Sequence, residues 1–327
     1  MLDRLGAMTE TIDVIVQSVT DEAEAIRSYV LMRADGGPLP GFTAGAHIDV
    51  LTPAGALRQY SLLNDERETA RYVIAVQREA AGRGGSASMH GVVAGTVLRI
   101  SAPRNAFALR DDPAPVVLLA GGIGVTPILA MAHSLDARGR AFAFHFATRS
   151  AARTPFLDQI GAAPFADRVQ IYHDDHATRR FDIVGFVDQL PPGAHLYMCG
   201  PAGFMAAVSE HAVTARADVV LHQEYFAAPV AEAGTDADGK FTLELARSGI
   251  TTTVPAGQSI LELLQSHGIE CPTSCEEGIC GTCLTTVLSG AIDHRDHVLS
   301  PAERALGDRM LVCVSRGKPG ETLVLDL

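Results

Sequence analysis

The sequence predicts three domains: an antiparallel β-barrel or sandwich, a doubly wound α/β domain and a small cysteine-rich domain. Short alternating strand patterns separated by Gly and Pro turns occupy residues 9–112. Buried-strand patterns then alternate with helix patterns over residues 113–228, and closely spaced cysteines mark residues 240–327. Residues 229–239 are small, acidic or turn-forming and lack hydrophobic periodicity, so they are predicted to be a linker.

Length and charge restrict the class of protein. A chain of 327 residues is long enough for two or three domains with cores of their own. Its net charge of −12 argues against nucleic acid or an anionic membrane as a partner. The sequence contains no apolar run of about 18 residues and no secretory signal at its start. We therefore expect a cytoplasmic protein without a membrane partner, and we expect a monomer.

The elements of the first domain are read from period-two alternation, which is typical of strands with one buried face. Many short strands of this kind favour an antiparallel barrel or a sandwich. The predicted strands are Ile12–Val16, His47–Leu51, Arg71–Val76 and Thr96–Ile100.

The second domain begins with Val116–Ala120, a continuous apolar run typical of a buried parallel strand, followed by a glycine turn and an apolar helix. The same alternation continues to about residue 221 and predicts a doubly wound sheet. The further strands are Ala141–Phe146, Val169–Tyr172, His195–Met198 and Val219–Leu221, and the further helices are Pro155–Ile160, Asp182–Leu190 and Ala202–Ala212.

The third domain carries cysteines at 275, 280, 283 and 313, in the pattern C-x4-C-x2-C…C. This is the plant-type ligand spacing of a [2Fe–2S] cluster, a one-electron centre with a potential of about −400 mV. The alternatives are a zinc site, which usually pairs its ligands in two short units, or buried structural thiols. Gly278 and Gly281 favour the cluster because they let backbone N–H groups face the sulfurs. Cys271 is predicted to be structural, since its use as a ligand would break the spacing.

Two junctions of the second domain indicate an anion site. Glycines 121, 122 and 124 let the backbone approach a pyrophosphate, and Thr126 is placed to cap a helix whose first turn contains Pro127. A glycine turn required only by chain geometry is the alternative. Cys199-Gly200-Pro201 ends another strand at the edge where such sheets bind ligands; the alternative for Cys199 is a small buried hydrophobe.

Two segments of the first domain contain groups that could bind a phosphorylated heterocycle. Arg58, Tyr60 and Ser61 combine a cation, an aromatic face and a hydroxyl, although an alternating surface strand also explains them. The run Gly82, Arg83, Gly84, Gly85 and Ser86 precedes a short helix that ends near His90 and resembles a phosphate cradle. His90 itself is predicted to be structural.

Together, these motifs resemble the phthalate dioxygenase reductase family, which includes the reductases of vanillate O-demethylase. The resemblance spans nearly the whole chain, from about Thr11 to Leu327, and rests on R-x-Y-S, G-R-G-G-S, G-G-I-G-x-T-P, C-G-P and the C-terminal C-x4-C-x2-C. It implies an antiparallel β-barrel flavin domain, a doubly wound α/β nucleotide-binding domain and a C-terminal plant-type ferredoxin domain of β-grasp, α+β architecture.

The resemblance also implies a path of electrons from NADH to FMN, to the [2Fe–2S] cluster, and then to a Rieske-type oxygenase. A flavin is needed because nicotinamide gives two electrons as hydride and the cluster accepts one. Ser61, Cys199 and Phe226 would act at the reacting centre. Phe226 would cover the flavin ring, unless it is simply a core aromatic that ends a strand. The residues that the resemblance implies for FMN are Arg58, Tyr60, Ser61, Ala75, Val76, Gln77, Gly82, Arg83, Gly84, Gly85, Ser86, Thr126 and Phe226. Those implied for NAD are Gly121, Gly122, Gly124, Thr126, Pro127, Thr148, Arg149, Cys199, Gly200 and Pro201. The implied cluster ligands are Cys275, Cys280, Cys283 and Cys313.

One departure concerns the nucleotide. The family places an acidic residue after the Thr-Arg pair that ends the second strand of the α/β domain, where it binds the ribose 2′-OH. Here Ser150 follows Thr148-Arg149, and Arg153 lies nearby, so a 2′-phosphate could be tolerated. NADH remains the expected donor.

Three hypotheses follow. The first is an NADH-dependent reductase of a ring-hydroxylating or O-demethylating oxygenase. The second is a reductase for another acceptor, such as a haem monooxygenase. The third is a non-catalytic ferredoxin-like carrier with a degenerate flavoprotein part, against which the complete set of Arg58, Ser61, Gly84 and Gly122 argues.

Overall fold

The computed structural model describes residues 11–80, 82, 84–176, 178, 180–227 and 239–327. Contacts divide the described chain into two compact units, one within Thr9–Glu224 and the other within Tyr225–Leu327. The predicted linker, residues 229–239, lies outside the described residues except for Gly239. No described helix has both the length and the apolar character needed to span a membrane.

The first part of the larger unit is an antiparallel barrel. Alternation along the first strand buries Ile12, Val14 and Val16 and exposes the residues between them, as predicted. The order of the sheet is β4-β3-β6-β1-β2-β5, and its end strands contact each other, so the sheet closes. The elements are β1 (Thr11–Ala23), β2 (Ile26–Arg33), β3 (His47–Leu51), β4 (Leu57–Ser61), β5 (Tyr72–Gln77), α1 (Gly85–Met89) and β6 (Val97–Ser101).

The second part of the same unit is a parallel five-stranded sheet in the order β11-β10-β7-β8-β9. Every residue of β7 is buried, which explains its unbroken apolar sequence. Helices lie on both faces, and the doubly wound fold is confirmed. The elements are β7 (Val116–Gly121), α2 (Val125–Ala137), β8 (Phe142–Thr148), α3 (Leu157–Ala162), β9 (Val169–His173), α4 (Ile183–Asp188), β10 (His195–Cys199), α5 (Ala202–Ala215) and β11 (Val220–Glu224).

Barrel and α/β sheet share a core. Leu63 and Ala75 of the barrel belong to the same buried cluster as Leu129 and Met131 of α2. Glu66 adds a polar link, because its carboxylate accepts hydrogen bonds from the Ala44 N–H, Ser134 Oγ and Arg138 Nη2 at 2.7, 2.7 and 3.0 Å. The two parts therefore pack as one body within this unit.

The smaller unit is an α+β fold of the β-grasp type. Its main sheet has the order β13-β12-β18-β14-β16, in which β12 and β18 are parallel and the other pairs antiparallel. The two described helices of this unit each begin with a capping box, Ser259 with Glu262 and Ser300 with Glu303. The elements are β12 (Phe241–Leu245), β13 (Ile250–Val254), α6 (Ile260–Ser266), β14 (Leu284–Ser289), β15 (Ile292–Asp293), α7 (Pro301–Leu306), β16 (Arg309–Leu311), β17 (Arg316–Gly317) and β18 (Thr322–Leu325).

Candidate active site and candidate metal centre

The four predicted cluster cysteines come together in the smaller unit. Cys275, Cys280 and Cys283 lie on the loop before β14, and Cys313 follows β16, the strand paired with β14. The thiols of Cys275 and Cys280 lie close enough to interact electrostatically, and so do those of Cys283 and Cys313. This interaction lowers the pKa of the Cys280 thiol and raises that of the Cys275 thiol, so Cys280 is the more readily ionised of the two.

This arrangement fits a two-iron cluster. A [2Fe–2S] cluster takes two thiolates on each iron, and the cysteines are grouped in two pairs. The loop also directs an N–H group at a ligand, since Glu277 N donates to Cys275 Sγ at 3.3 Å.

The backbone of this loop requires glycine at one position in particular. Gly278 has a φ of 72°, and a Cβ there would lie 2.6 Å from Cγ2 of Val314. Either fact alone would strain another residue. Glu276 adopts a φ of 60° in the same loop, which is uncommon for a residue with a side chain.

A buried aspartate, Asp296, holds a turn that is hydrogen-bonded to the cysteine loop. Oδ1 of Asp296, which is 1% exposed, accepts hydrogen bonds from the N–H groups of Val298 and Leu299 at 3.0 and 2.8 Å. Arg304 donates to the carbonyl of Asp296. The turn held in this way donates the N–H of His297 to the Gly278 carbonyl at 2.9 Å, which ties it to the cysteine loop.

In the larger unit, the two predicted nucleotide junctions meet at the carboxyl ends of adjacent strands. Ala120 of β7 is paired with Cys199 of β10. A Cβ on Gly124 would lie 2.2 Å from the Cys199 carbonyl oxygen, and one on Gly121 would lie 2.8 Å from Cδ of Pro201. Glycine is therefore required for the two loops to touch, and the loops form one concave edge.

The prediction that Thr126 caps α2 is wrong. The helix begins at Val125 with Gly124 as its N-cap, because the 3-10 turn Gly122–Gly124 runs directly into it. Thr126 Oγ1 instead donates to the Ile123 carbonyl at 3.2 Å, and Pro127 lies in the first turn as predicted. Thr148 ends β8 beside this edge, and Arg149 after it is exposed.

The predicted phosphate cradle and the predicted cation also meet. A Cβ on Gly85 would lie 3.0 Å from Nε of Arg58, so the guanidinium lies against bare backbone at the start of α1. This cradle fits a phosphate. Gly84 is left-handed with a φ of 89°, and Ser86 Oγ accepts a hydrogen bond from the Glu79 N–H at 3.1 Å. Arg83 lies outside the described residues.

The remaining predicted flavin residues lie on β4 and β5. Tyr60 packs against the barrel core, and its burial raises the pKa of its hydroxyl. Ala75, Val76 and Gln77 are on β5, the last strand in the sheet order, which contacts the 3-10 turn of the nucleotide edge. His90 has the structural role expected of it, since its Nε2 is 3.0 Å from the Val76 carbonyl oxygen.

The structure adds Glu224, a residue that the sequence did not predict. Ser61 Oγ at the end of β4 donates to Oε2 of Glu224 at 3.3 Å, and Glu224 is paired with Cys199 in the parallel sheet. Burial raises the pKa of the Glu224 carboxyl to about 8, so this group is mainly neutral at pH 7. A neutral acid that bridges the two candidate cofactor sites is poised to donate as well as accept a hydrogen bond.

Cys199 and Phe226 were predicted to act at the reacting centre. The Cys199 thiol is 1% exposed, and burial raises its pKa well above the usual value, so it does not supply a thiolate. The side chain of Phe226 is 43% exposed in the smaller unit, which excludes a role as a buried core aromatic. Its contact with a flavin remains a prediction.

Known proteins similar to this chain agree with the geometry. Residues 243–318 match the family described as the 2Fe-2S iron-sulfur cluster binding domain. The vanillate O-demethylase oxidoreductase of Pseudomonas putida is 46% identical over 319 residues, which cover 97% of this chain and 100% of that protein. The solved structure of phthalate dioxygenase reductase, described as a modular structure for electron transfer from pyridine nucleotides to [2Fe-2S], has a TM-score of 0.68 and 40% identity, covering 97% of this chain and 98% of that one.

A third similarity is to a fused protein. An intact type IV self-sufficient cytochrome P450 monooxygenase matches with a TM-score of 0.89 and 37% identity over 97% of this chain. The match covers 41% of that longer chain, so this chain spans about two fifths of its length.

Proposed function

The chain belongs to the phthalate dioxygenase reductase family, and on that premise we propose that it is the reductase component of a Rieske-type oxygenase that hydroxylates or O-demethylates aromatic compounds. It takes electrons from NADH and passes them through FMN and a [2Fe–2S] cluster to the oxygenase. FMN supplies the conversion of a two-electron hydride into single electrons. The cluster then carries one electron at a time.

The observation that carries this function is the hydrogen bond between Ser61 and Glu224. It joins the end of a barrel strand that bears the flavin motif to the end of an α/β strand that borders the nucleotide edge. Hydride transfer requires that donor and acceptor rings lie in contact, and this link supports adjacent sites within one compact unit.

Each group has a proposed task. Arg58 and the main chain at Gly85 bind the FMN phosphate. Ser61, whose single hydroxyl proton goes to Glu224 in this structure, turns it to the flavin ring when FMN is bound. The glycine turn from Gly121 to Gly124 lies against the pyrophosphate of NADH. Glu224 holds its proton near neutral pH, so that no negative charge repels a reduced flavin.

The setting of the protein is also a proposal. We place it in the cytoplasm as a monomer that docks transiently on the oxygenase, and its six free cysteines agree with a reducing compartment. Thirteen acidic and seven basic side chains from Asp236 onward give the last part of the chain a net charge of −6, which favours a basic docking site on the partner.

The function is tested with two matched cysteine variants of the full-length protein. Cys280→Ser should lose the cluster spectrum and oxygenase turnover but still reduce ferricyanide with NADH, since the described flavin and nucleotide residues other than Phe226 lie in the other unit. Cys271→Ser should retain both activities, because the Cys271 thiol donates to the Pro272 carbonyl and takes no part in the two thiol pairs. Loss of the cluster in Cys271→Ser, or full oxygenase turnover in Cys280→Ser, would contradict the assignment.

The second candidate acceptor is a haem monooxygenase, which the similarity to the fused cytochrome P450 favours. Both acceptors are compared in the same assay by offering the reduced protein a Rieske-type oxygenase or a P450 haem domain. Faster turnover with the haem domain would replace the oxygenase as the partner.

A further inference from the structure

The tip of the first barrel hairpin contacts the loop that follows β8. Glu24 and Ala25 form the turn between β1 and β2, and Ala25 adopts a left-handed φ of 61°. The Glu24 N–H donates to the Ala152 carbonyl at 3.0 Å. Its carboxylate accepts two hydrogen bonds from Arg153, 3.1 Å from Nε and 2.9 Å from Nη2. The hairpin is thus joined to this loop by both main chain and side chain.

The contacted loop lies where the adenosine ribose of a dinucleotide is expected. β8 is the neighbour of β7, whose carboxyl end carries the glycine turn, and in doubly wound sheets an acidic residue after this second strand binds the ribose 2′-OH. The loop is ordered by its own polar contacts. Thr154 Oγ1 donates to the Ser150 carbonyl at 2.8 Å and lies 2.7 Å from Thr148 Oγ1.

The charges around this loop decide which nucleotide it favours. Arg149 is exposed, and its carbonyl accepts a hydrogen bond from the Asp175 N–H at 3.2 Å. Arg153 is the other cation of the loop, and its side chain is directed at Glu24 rather than left free for a phosphate. The bond from Arg153 lowers the pKa of the Glu24 carboxyl, so Glu24 is ionised at neutral pH.

We propose that Glu24 is a specificity-determining residue for the nicotinamide nucleotide. Glu24 lies on the barrel and supplies a negative charge to the loop, which has Ser150 where the family has an acidic residue. Its carboxylate also accepts hydrogen bonds from the two Arg153 donors that would otherwise bind a 2′-phosphate. The 2′-phosphate of NADPH is repelled by the Glu24 carboxylate and gains little attraction from Arg153, whose charge Glu24 already neutralises. The uncharged 2′-OH of NADH is not repelled in this way. This inference rests on the proposed binding of NADH at the α/β edge.

Two variants break the same ion pair from opposite sides. Glu24→Gln leaves Arg153 free and should raise the ratio of kcat/KM for NADPH to that for NADH about two- to fivefold, the range for an exposed, screened pair. Arg153→Gln loosens the hairpin equally but removes the cation, so it should not raise the value for NADPH. Asp21→Asn is the matched control. It breaks the 2.6 Å pair with Arg27 on the same hairpin, away from the loop, and should not change the NADPH to NADH ratio.

Binding of adenosine fragments to the purified holoprotein gives a readout that is independent of turnover. In calorimetric titrations, Glu24→Gln should tighten 2′,5′-ADP and leave 5′-ADP unchanged. Equal shifts in Glu24→Gln and Arg153→Gln, or an unchanged affinity for 2′,5′-ADP in Glu24→Gln, would overturn the proposal and make the pair merely structural. Failure of the wild-type protein to oxidise NADH would instead refute the proposed function, and the fragment titrations would still test Glu24.

Discussion

At the scale of single residues, Glu224 gives the fold an unusual dependence on pH. Its carboxyl has a pKa of about 8 in the folded chain, against 4.5 for the ordinary group, because burial disfavours its charge. Between about pH 5 and pH 8 the folded protein therefore retains a proton that the unfolded chain has lost. The contribution of Glu224 to the free energy of unfolding should therefore fall by about 1.4 kcal/mol for each pH unit in this range and stop falling above it. Below about pH 6.5 it is opposed by His47, His145 and His222, because burial lowers their pKa values to about 4.

Replacement of Glu224 by Gln should remove this contribution, so the variant should gain stability relative to the wild type from about pH 5 upward, and most at pH 8 and above. Urea unfolding curves from pH 5 to pH 9 measure the effect. Glu210→Gln, at an exposed carboxyl on α5, is the control and should leave the slope as it is in the wild type. A difference in the free energy of unfolding between Glu224→Gln and the wild type that stays constant from pH 5 to pH 9 would contradict the prediction.

At the nucleotide edge, the backbone leaves no space for a side chain at Gly124. An added Cβ would lie 2.2 Å from the Cys199 carbonyl oxygen, so Gly124→Ala must push the two loops apart. We expect a loss of about 1–3 kcal/mol in the free energy of unfolding and a higher KM for NADH. Gly161→Ala, in α3 with no atom within 4 Å of the new Cβ, should leave both values close to the wild type. Similar KM values for the two variants would exclude Gly124 from the nucleotide site.

At the scale of elements, the turn that contains Asp296 controls the cysteine loop. Asp296→Ala would leave the N–H groups of Val298 and Leu299 without their acceptor, at a cost of about 1–3 kcal/mol for each buried group. The hydrogen bond from the His297 N–H to the Gly278 carbonyl would then weaken, and the cluster should bleach faster in the presence of a chelator. Absorbance of the cluster over time measures this rate. Asp308→Ala, at a side chain that is 51% exposed, is the control, and equal bleaching rates in the two variants would contradict the role of Asp296.

The elements that sequence could predict are those with a clean pattern. The first six residues of β1 alternate and β7 is wholly apolar, and the start of each strand was predicted within a residue. The prediction for β1 ended at Val16, because the alternation stops there although the strand continues to Ala23. β2 was not predicted because its buried residues change face along the strand, from Ile26 and Ser28 to Tyr29 and Leu31, which hides the alternation. α3 begins two residues later than predicted, since Phe156 takes a left-handed φ of 63° before it. The fold of the smaller unit was predicted from the family resemblance and not from the periodicity of its strands.

At the scale of the whole molecule, the cysteine spacing and the glycine motifs predicted the kinds of site, because local spacing determines which backbone and thiol groups converge. Glu224 could not be predicted in this way. It is separated from Ser61 by 163 residues, and its altered pKa depends on burial that only the folded chain defines. The link between Glu24 and Arg153 has the same origin, since it joins the barrel to the α/β sheet across 129 residues.

The division into two compact units leads to a prediction about the order of electron transfer. All described residues assigned here to FMN and NADH, except Phe226, lie within Thr9–Glu224, and the cluster cysteines lie within Tyr225–Leu327. A chain that ends at Ala233 should therefore bind FMN and reduce ferricyanide with NADH at a rate close to that of the full-length protein. It should not support the oxygenase, because the cluster and the acidic surface proposed for docking are both removed.

Comparison with full-length Cys280→Ser separates these two losses. That variant keeps the acidic domain but not the cluster, so in excess it should compete with the wild-type protein for the oxygenase, whereas the shortened chain should not compete. Competition should weaken as salt rises, since charges on a surface are screened over about 8–10 Å at physiological ionic strength. If the shortened chain competed as strongly as Cys280→Ser, the docking surface would lie on the flavin unit, and the acidic domain would serve as a carrier of electrons alone.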